Sequence, residues 1–169
     1  MIKILKWVAA GSLFGALFFI ILVGALPVEA SQLRTIEPDC EPGIVRYVTD
    51  AERNILYRIA WAEARGEDDK GIILVVNVIF NRMGCPSFPD TIQEVVFAPR
   101  QFSPITNGAF ARATPCERIK GLVQQAIDGA DHSYGATFFR TVAGSAGSWH
   151  ERALNRIFTH GAHHFYVAR

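Results

Sequence analysis

Glu63 is the residue of this sequence whose setting best suits acid–base chemistry. Helical spacing places it on the same face as three apolar residues, Ile55, Leu56 and Ile59. A carboxyl group on an apolar face is desolvated, which raises its pKa and keeps a proton on it near neutral pH. A protonated carboxyl is the general acid that cleavage of a glycosidic bond requires. The alternative role for Glu63 is an ion pair with a nearby arginine such as Arg65.

Glu67 is a second carboxyl group, four residues further along the chain. On one continuous helix the two carboxyls would share a face about 6 Å apart, but Gly66 predicts that the helix ends between them. An inverting glycosidase needs a second carboxylate to activate water, and a retaining one needs a nucleophile. A lytic transglycosylase needs neither, because the C6 hydroxyl of muramic acid attacks the anomeric carbon of the same sugar. The alternative for Glu67, with Asp68 and Asp69, is a solvated helix start.

Three histidines lie close together near the C-terminus, at His160, His163 and His164. A zinc site needs three ligands that converge on one metal, whereas adjacent His163 and His164 would point to opposite faces of a strand. The sequence contains neither His-Glu-x-x-His nor Cys-x-x-Cys. We therefore expect no metal and no cofactor, and a zinc-dependent amidase is the alternative.

Several aromatic residues could offer flat faces on which sugar rings stack. Trp61 is the strongest candidate, because it lies on the side of the predicted helix opposite the apolar face that carries Glu63. Its ring must therefore either pack against another part of the fold or line a groove. Packing in the core is the alternative for every member of this set, which comprises Trp61, Phe102, Trp149, Phe165 and Tyr166.

The elements that position these residues are predicted to be mainly helical. Thr49 and Glu52 form a capping box that begins a helix ending near Gly66. Residues 71–82 are apolar on almost every side, with Asn77 as an exception, and are predicted to form a central buried helix. A buried strand is the alternative there, because valine and isoleucine dominate the segment.

Two more helices are predicted further along the chain. Asp90 and Gln93 are expected to cap a short helix that runs to Phe97, and residues 99–108 are expected to be irregular. The segment Thr114-Pro115-Cys116-Glu117 reads as a second capping box, whose helix stops at Gly129.

The pattern changes near the C-terminus, where β-branched and aromatic residues dominate. Residues 135–140 and 156–167 are predicted to form strands, with a hairpin turn at Gly161-Ala162. The predicted fold class is therefore α+β, mainly helical with a small C-terminal β element.

The N-terminus is predicted to carry an export signal, either a cleaved signal peptide or an uncleaved membrane anchor. Lys3 and Lys6 precede an uncharged apolar run over residues 7–26, which fits either a cleaved signal peptide or a membrane anchor. We assign residues 1–30 to that signal or anchor, residues 31–48 to a tether and residues 49–169 to one catalytic domain. Positive residues before the run send the rest of the chain outward. The predicted location is the periplasm or cell envelope, secreted or membrane-anchored.

Charge and cysteine content limit the partners and the covalent links. The chain has 17 Lys and Arg against 16 Asp and Glu, so no basic stripe marks it for nucleic acid. In an oxidising compartment, three cysteines allow one disulfide and one free thiol. We expect the pair Cys85–Cys116, because both lie inside the predicted domain, although Cys40 could replace either.

A set of short segments occurs in order along the chain: Trp61-Ala62-Glu63-Ala64-Arg65-Gly66-Glu67, Val78-Ile79-Phe80-Asn81-Arg82, Phe88-Pro89-Asp90-Thr91, Gln101-Phe102-Ser103-Pro104, Gly135-Ala136-Thr137-Phe138-Phe139, Ser148-Trp149 and His163-His164-Phe165-Tyr166. In these segments the sequence resembles the cell wall hydrolase family of the spore cortex-lytic enzymes. The resemblance covers about residues 52 to 167 and departs from the family pattern at Arg140-Thr141, where members often have Asn-Pro.

The resemblance implies a lysozyme-like domain that cleaves the glycan strand of peptidoglycan, with Glu63 as the catalytic acid. Lytic transglycosylase and muramidase-type cleavage both fit this implication. The alternatives are an N-acetylmuramoyl-L-alanine amidase and, from another class, an inactive peptidoglycan-binding envelope protein. Peptidoglycan is the expected partner, and the candidate substrate-binding residues are Glu67, Trp61, Gln101, Phe102, Ser103, Phe138, Trp149, His163 and Tyr166.

Overall fold

The computed structural model describes residues 47–169. The predicted signal or anchor, and most of the predicted tether, lie outside the described residues. Within residues 47–169, no helix combines the length and the apolar character needed to cross a bilayer. The elements in chain order are α1 Asp50–Ala64, α2 Asp69–Met83, α3 Ile92–Phe97, α4 Ser103–Thr106, α5 Glu117–Ile127, β1 Phe138–Thr141, α6 Trp149–Ala153, β2 Leu154–His160 and β3 His163–Ala168.

Helix α1 begins at the predicted capping box. The Thr49 hydroxyl accepts a hydrogen bond from the Glu52 backbone N–H, and the Glu52 carboxylate accepts one from the Thr49 backbone N–H. These two bonds satisfy N–H groups that the first helical turn leaves without partners. Leu56 and Ile59 are fully buried in the helical core. The helix ends at Ala64, close to the predicted end at Gly66.

Helix α2 is the central helix, as predicted, and not a strand. Its two buried asparagines are paired with the loop that leads into β1: Asn77 Nδ2 donates to the Ala130 carbonyl at 2.8 Å, and Asn81 Nδ2 donates to the Ala136 carbonyl at 2.9 Å. Buried amides must find such partners to offset the cost of leaving water. The apolar helix therefore holds that loop in place through its polar residues.

The predicted starts of α3 and α5 were wrong. Thr91 caps α3, where its hydroxyl accepts from the Glu94 backbone N–H at 3.2 Å, so Asp90 lies one residue too early. Helix α5 begins at Glu117 after Cys116, and no side chain caps it. Two short helices were not predicted, α4 within residues 99–108 and α6 after Ser148, because four or five residues carry too little periodicity to be recognised.

The β element is an antiparallel sheet in the order β1-β3-β2. Phe138 of β1 pairs with Tyr166 of β3, and His160 of β2 pairs with His163 across the predicted hairpin turn. Phe165 of β3 packs in a small apolar cluster with Leu74 and Val78 of α2. The sheet therefore lies against the central helix, and the predicted α+β class is confirmed.

The predicted disulfide between Cys85 and Cys116 was wrong. Cys116 is exposed and free. Cys85 is buried and is not free. Cys116 is the exposed residue that precedes α5, where the predicted capping box does not form. The position of Cys116 in the sequence could not show that its thiol is free.

Candidate active site

An open groove of about 610 Å³ lies between the helices and the sheet. It is built from the last turns of α1 and α2, the segment around α4, strand β1, helix α6 and the start of β3. These elements are far apart in sequence and meet only in the fold. The residues that line it are Glu63, Arg82, Arg100, Gln101, Phe102, Ser103, Thr106, Phe138, Phe139, Arg140, Thr141, Trp149, His150 and His163.

Glu63 lies in the last turn of α1 and faces the groove. Burial raises the pKa of its carboxyl from 4.5 to about 7. The arginines that could have paired with it are engaged elsewhere: the Arg65 guanidinium lies 4.4 Å over the Trp61 ring, and Arg58 donates to the carbonyl of Phe110 at 3.1 Å. Glu63 can therefore hold a proton near neutral pH and release it within the groove.

Glu67 lies outside the groove and binds the β hairpin. Its carboxylate accepts a hydrogen bond from the Ala162 backbone N–H at 3.3 Å and lies 3.5 Å from Nδ1 of His163. Gly161 has a φ of 52° and contacts this carboxylate so closely that a Cβ there would overlap Glu67. Helix α1 ends at Ala64, before Glu67, and Glu63 is the sole carboxyl among the described residues that line the groove.

The neighbouring aspartate reinforces the same connection. Asp68 Oδ1 lies 2.7 Å from Nε2 of His160, and this hydrogen bond is the largest of the effects that lower the pKa of the Asp68 carboxyl. The loop between α1 and α2 is therefore fastened to the hairpin at two points. This connection sets the position of His163, the hairpin residue that lines the groove.

His163 is almost fully buried beside the ring of Phe139, with 5.4 Å between ring centroids. Burial lowers the pKa of its imidazole, and the charge of Glu67 acts in the opposite direction. The ring is therefore mainly neutral at neutral pH. A neutral imidazole whose Nδ1 faces Glu67 can use Nε2 to hydrogen-bond a sugar hydroxyl in the groove.

Arg82 provides a buried positive charge to the groove. Its Nε donates to the Thr137 carbonyl at 2.7 Å, and its guanidinium lies 5.2 Å from the Phe102 ring centroid and 5.5 Å from that of Phe138. Burial lowers its pKa to about 10, so the group remains protonated at neutral pH. The interactions with aromatic faces stabilise the cation where water is excluded.

Trp149 offers a wide apolar face to a ligand in the groove. It is 53% exposed, although it is one of the largest apolar side chains, and its ring lies 6.1 Å from that of Phe138. Trp61, by contrast, packs against the helical core. Tyr166 is fully buried and donates to Glu151 at 2.7 Å, and burial is the main cause that raises its pKa to about 12.

The groove unites most, but not all, of the residues singled out from sequence. Glu63, Gln101, Phe102, Ser103, Phe138, Trp149 and His163 line it, whereas Glu67, Trp61 and Tyr166 do not. Three arginines of the groove, Arg82, Arg100 and Arg140, and the histidine His150 were missed. Arg82 was part of a recognised motif, and an arginine at the end of an otherwise apolar helix was a signal that could have found it.

A metal site does not form from the histidines. Within residues 47–169, no three His, Cys, Asp or Glu side chains come together in a way that could hold an ion. His160 and His163 instead contact the carboxylates of Asp68 and Glu67.

Comparison with known proteins identifies relatives of the sequence and of the fold. A model of the cell wall hydrolase family matches residues 66–166. The chain is 33% identical to the spore cortex-lytic enzyme of Halalkalibacterium halodurans over 114 residues, 66% of this chain and 34% of that enzyme. It is 30% identical to the cell wall hydrolase CwlJ of Bacillus subtilis over 126 residues, 70% of this chain and 86% of that protein.

The fold is similar to two crystallised domains. The catalytic domain of the Bacillus cereus SleB protein matches with a TM-score of 0.65 and 28% identity, covering 75% of this chain and 98% of that domain. The catalytic domain of the germination-specific lytic transglycosylase SleB from Bacillus anthracis matches with a TM-score of 0.63 and 29% identity, covering 70% and 96%.

The fold places the chain with the α+β catalytic domains of the SleB proteins. The chain spans about a third of the length of the spore cortex-lytic enzymes that it matches. It belongs to the cell wall hydrolase family. The family match begins three residues after Glu63, so the assignment of Glu63 rests on the geometry of the groove and not on that match.

Proposed function

We propose that this chain cleaves the glycan strand of peptidoglycan as a lytic transglycosylase, with Glu63 as general acid and then general base. The observation that carries the proposal is the setting of Glu63, a partly buried carboxyl whose pKa is raised to about 7 and which lines an open groove. The naming of one structural relative as a lytic transglycosylase supports the same reaction.

Glu63 acts twice in the proposed reaction. Its proton passes to the glycosidic oxygen between N-acetylmuramic acid and N-acetylglucosamine while the bond from that oxygen to the anomeric carbon breaks. The ionised carboxylate then takes the proton of the C6 hydroxyl as the C6 oxygen bonds to the anomeric carbon. One proton leaves Glu63 and one returns, no water is consumed, and the product is a 1,6-anhydro sugar. Proton transfer of this kind contributes about 10²–10⁴-fold to a rate.

The source of the nucleophile follows from the composition of the groove. Hydrolysis with inversion or retention needs a second carboxyl group about 5–9.5 Å from the acid. Glu67, the nearest acidic residue in the sequence motif, is bound to the hairpin through Ala162 and His163. A nucleophile that belongs to the substrate removes the need for a second carboxylate, and this favours transglycosylation over muramidase-type hydrolysis.

The walls of the groove suit a sugar chain. The exposed face of Trp149 can stack on a pyranose ring, and Gln101 and Ser103 are exposed polar residues that can hydrogen-bond its hydroxyls. His163 can do the same through its neutral imidazole. We assign these residues to substrate binding, with Phe102 and Phe138 forming the apolar wall between them.

Product analysis tests the proposed function. Purified sacculi treated with the protein should release muropeptides that end in 1,6-anhydro-muramic acid, identified by mass spectrometry. Glu63→Gln should lose this release while its circular dichroism spectrum remains unchanged. Reducing-end muramic acid, which borohydride reduces, would establish hydrolysis instead. Free stem peptides would establish the amidase alternative, and binding to sacculi without any release would establish an inactive binding protein.

The same proposal assigns a location. Peptidoglycan lies outside the cytoplasmic membrane, so the domain must be exported to reach it, and the apolar run over residues 7–26 is the segment that we assign to this export. A reporter fused to the C-terminus that is active only after export, such as alkaline phosphatase, tests the assignment. Deletion of residues 7–26 should then abolish reporter activity.

A further inference from the structure

Two nitrogen atoms at the groove are buried without a hydrogen-bond partner. They are Nη1 of Arg82 and Nδ1 of His150, and they are the only such side-chain atoms in the part of the chain that the structure describes. Arg82 is only 4% exposed. Buried polar groups are nearly always paired, because an unpaired one has lost its hydrogen bonds to water without replacement. Two unpaired nitrogens in one ligand groove therefore indicate where a group of the ligand completes the bonding.

The Arg82 guanidinium is held in a fixed orientation beside the groove. Its Nε is bonded to the Thr137 carbonyl, and its plane lies against the rings of Phe102 and Phe138, which are both groove walls. Rotation of the guanidinium would break that bond and those ring contacts. Nη1 is thus a donor in a fixed position. It has no contact with solvent in the free protein, so a ligand oxygen reaches it only when the adjoining wall of the groove moves.

Arg140 brings a second cation to the same part of the groove. Its guanidinium donates to the Gly144 carbonyl at 3.1 and 3.3 Å. Burial is the main cause that lowers the pKa of the His150 imidazole, and the charges of Arg140 and Arg82 lower it further, whereas the charge of Glu151 acts in the opposite direction. Both arginines therefore lie within electrostatic reach of His150. His150 is therefore a neutral ring between two arginines, and its unpaired Nδ1 can donate to the same acceptor.

Neither guanidinium of this cluster forms an ion pair with a carboxylate in the part of the chain that the structure describes. A partly buried positive charge without a counter-charge favours an anion from the ligand. Guanidinium groups match the two oxygens of a carboxylate in geometry as well as in charge.

We propose that Arg82, Arg140 and His150 form a subsite for a carboxylate carried by the muramic acid side chain of the substrate. The proposal rests on the proposed function, since it names the part of the glycan strand that this end of the groove binds. The sugar backbone is otherwise uncharged, and its carboxylates come from two sources. One is the lactyl carboxylate of a muramic acid without a stem peptide, and the other is a carboxylate of the stem peptide.

The test compares binding of three hexasaccharides by isothermal titration calorimetry, with Glu63→Gln as the background so that no ligand is cleaved. The ligands are a peptidoglycan strand with free lactyl carboxylates, a strand with stem peptides, and neutral chitohexaose.

Arg140→Gln and His150→Phe should each weaken binding of a carboxylate-bearing strand about 10- to 100-fold, the range for loss of a hydrogen bond to a charged group. Lys120→Gln removes an equal charge on α5, outside the groove, and is the matched control. Arg82→Lys keeps the charge but removes Nη1 and should behave like the groove variants.

Each result has a defined meaning. Tighter binding of a carboxylate-bearing strand than of chitohexaose, lost in the groove variants and weakened by salt, supports the subsite, and the strand that binds tighter identifies the source. Equal affinity for chitohexaose and both strands would overturn it, as would groove variants that weaken all three ligands equally. Cleavage by the protein with Glu63 intact is measured separately. A preference for carboxylate-bearing strands without 1,6-anhydro products would refute the proposed function alone. Formation of 1,6-anhydro products without that preference would refute the subsite alone.

Discussion

Replacement of Glu63 by glutamine should isolate the effect of ionisation at this position, because glutamine has nearly the same shape as glutamate and cannot ionise. The folded state holds the Glu63 proton more tightly than the unfolded state does, since burial raises the pKa from 4.5 to about 7. The contribution of the protonated carboxyl to stability is therefore fully present below about pH 4.5 and is lost as pH rises through 7. Above that pH, the wild-type protein bears the cost of a buried carboxylate and Glu63→Gln does not.

The size of the effect follows from the same two pKa values. One unit of pKa shift corresponds to about 1.4 kcal/mol, so the shift of Glu63 amounts to about 3 kcal/mol between mildly acidic and mildly alkaline pH. The difference in unfolding free energy between Glu63→Gln and wild type should therefore grow by about 3 kcal/mol from about pH 4 to pH 8, in favour of the variant.

Urea denaturation followed by circular dichroism at several pH values measures this difference. Gln93→Ala is the control, because Gln93 is an exposed side chain on α3 without an ionisable group, so its replacement should give a difference that is constant with pH. In parallel, cleavage of sacculi should fall about 10²–10⁴-fold in Glu63→Gln, and wild-type activity should decline as pH rises through about 7. A stability difference that does not change with pH would refute the burial argument. Near wild-type cleavage by the variant would refute the catalytic role even if the stability prediction holds.

Other perturbations test the parts of the site around the acid. Glu67→Gln should weaken the link between the α1–α2 loop and the hairpin and destabilise the fold by about 1 kcal/mol in urea denaturation, with a smaller loss of cleavage than Glu63→Gln; the reverse order of activities would make Glu67 the acid. Trp149→Ala should raise KM for solubilised glycan strands about tenfold through loss of a stacking face, and an unchanged KM would remove it from the binding surface. Cleavage should survive EDTA, whereas loss of activity that zinc restores would revive the amidase alternative. Non-reducing peptide mapping should join Cys40 to Cys85, since Cys116 is free, and a peptide that contains Cys116 in a disulfide would contradict this.

Local signals in the sequence predicted the helical part of the fold well. The Thr49–Glu52 capping box and the apolar run of α2 act within one or two helical turns, so a single sequence contains the information they need. The start of α5 was predicted wrongly because the same kind of local signal contains no information about the path of the surrounding chain. Thr114 and Glu117 have the spacing of a capping box, but the chain before Cys116 does not take the path that the box requires.

The groove could be predicted only in part, because tertiary packing brings its walls together. Glu63 could be identified from one helix face, since an apolar face is a local property. The direction of Glu67 depended on the hairpin nearly a hundred residues away, which binds its carboxylate at Ala162 and His163. The cluster of Arg82, Arg140 and His150 joins three separate elements, and no spacing in the sequence reports their proximity.

Glu63 is the sole carboxyl group in the described lining of the groove, and this has two consequences. A second carboxylate in that lining could have activated water, and it could also have neutralised Arg82 and Arg140. The hairpin instead takes Glu67 out of the groove through the Ala162 backbone and His163. In the proposed reaction and the proposed subsite, both partners come from the ligand: a hydroxyl as the nucleophile and a carboxylate as the counter-ion. The sugar ring and the side chain of muramic acid carry both groups, so the same feature of the groove favours transglycosylation and recognition of muramic acid together.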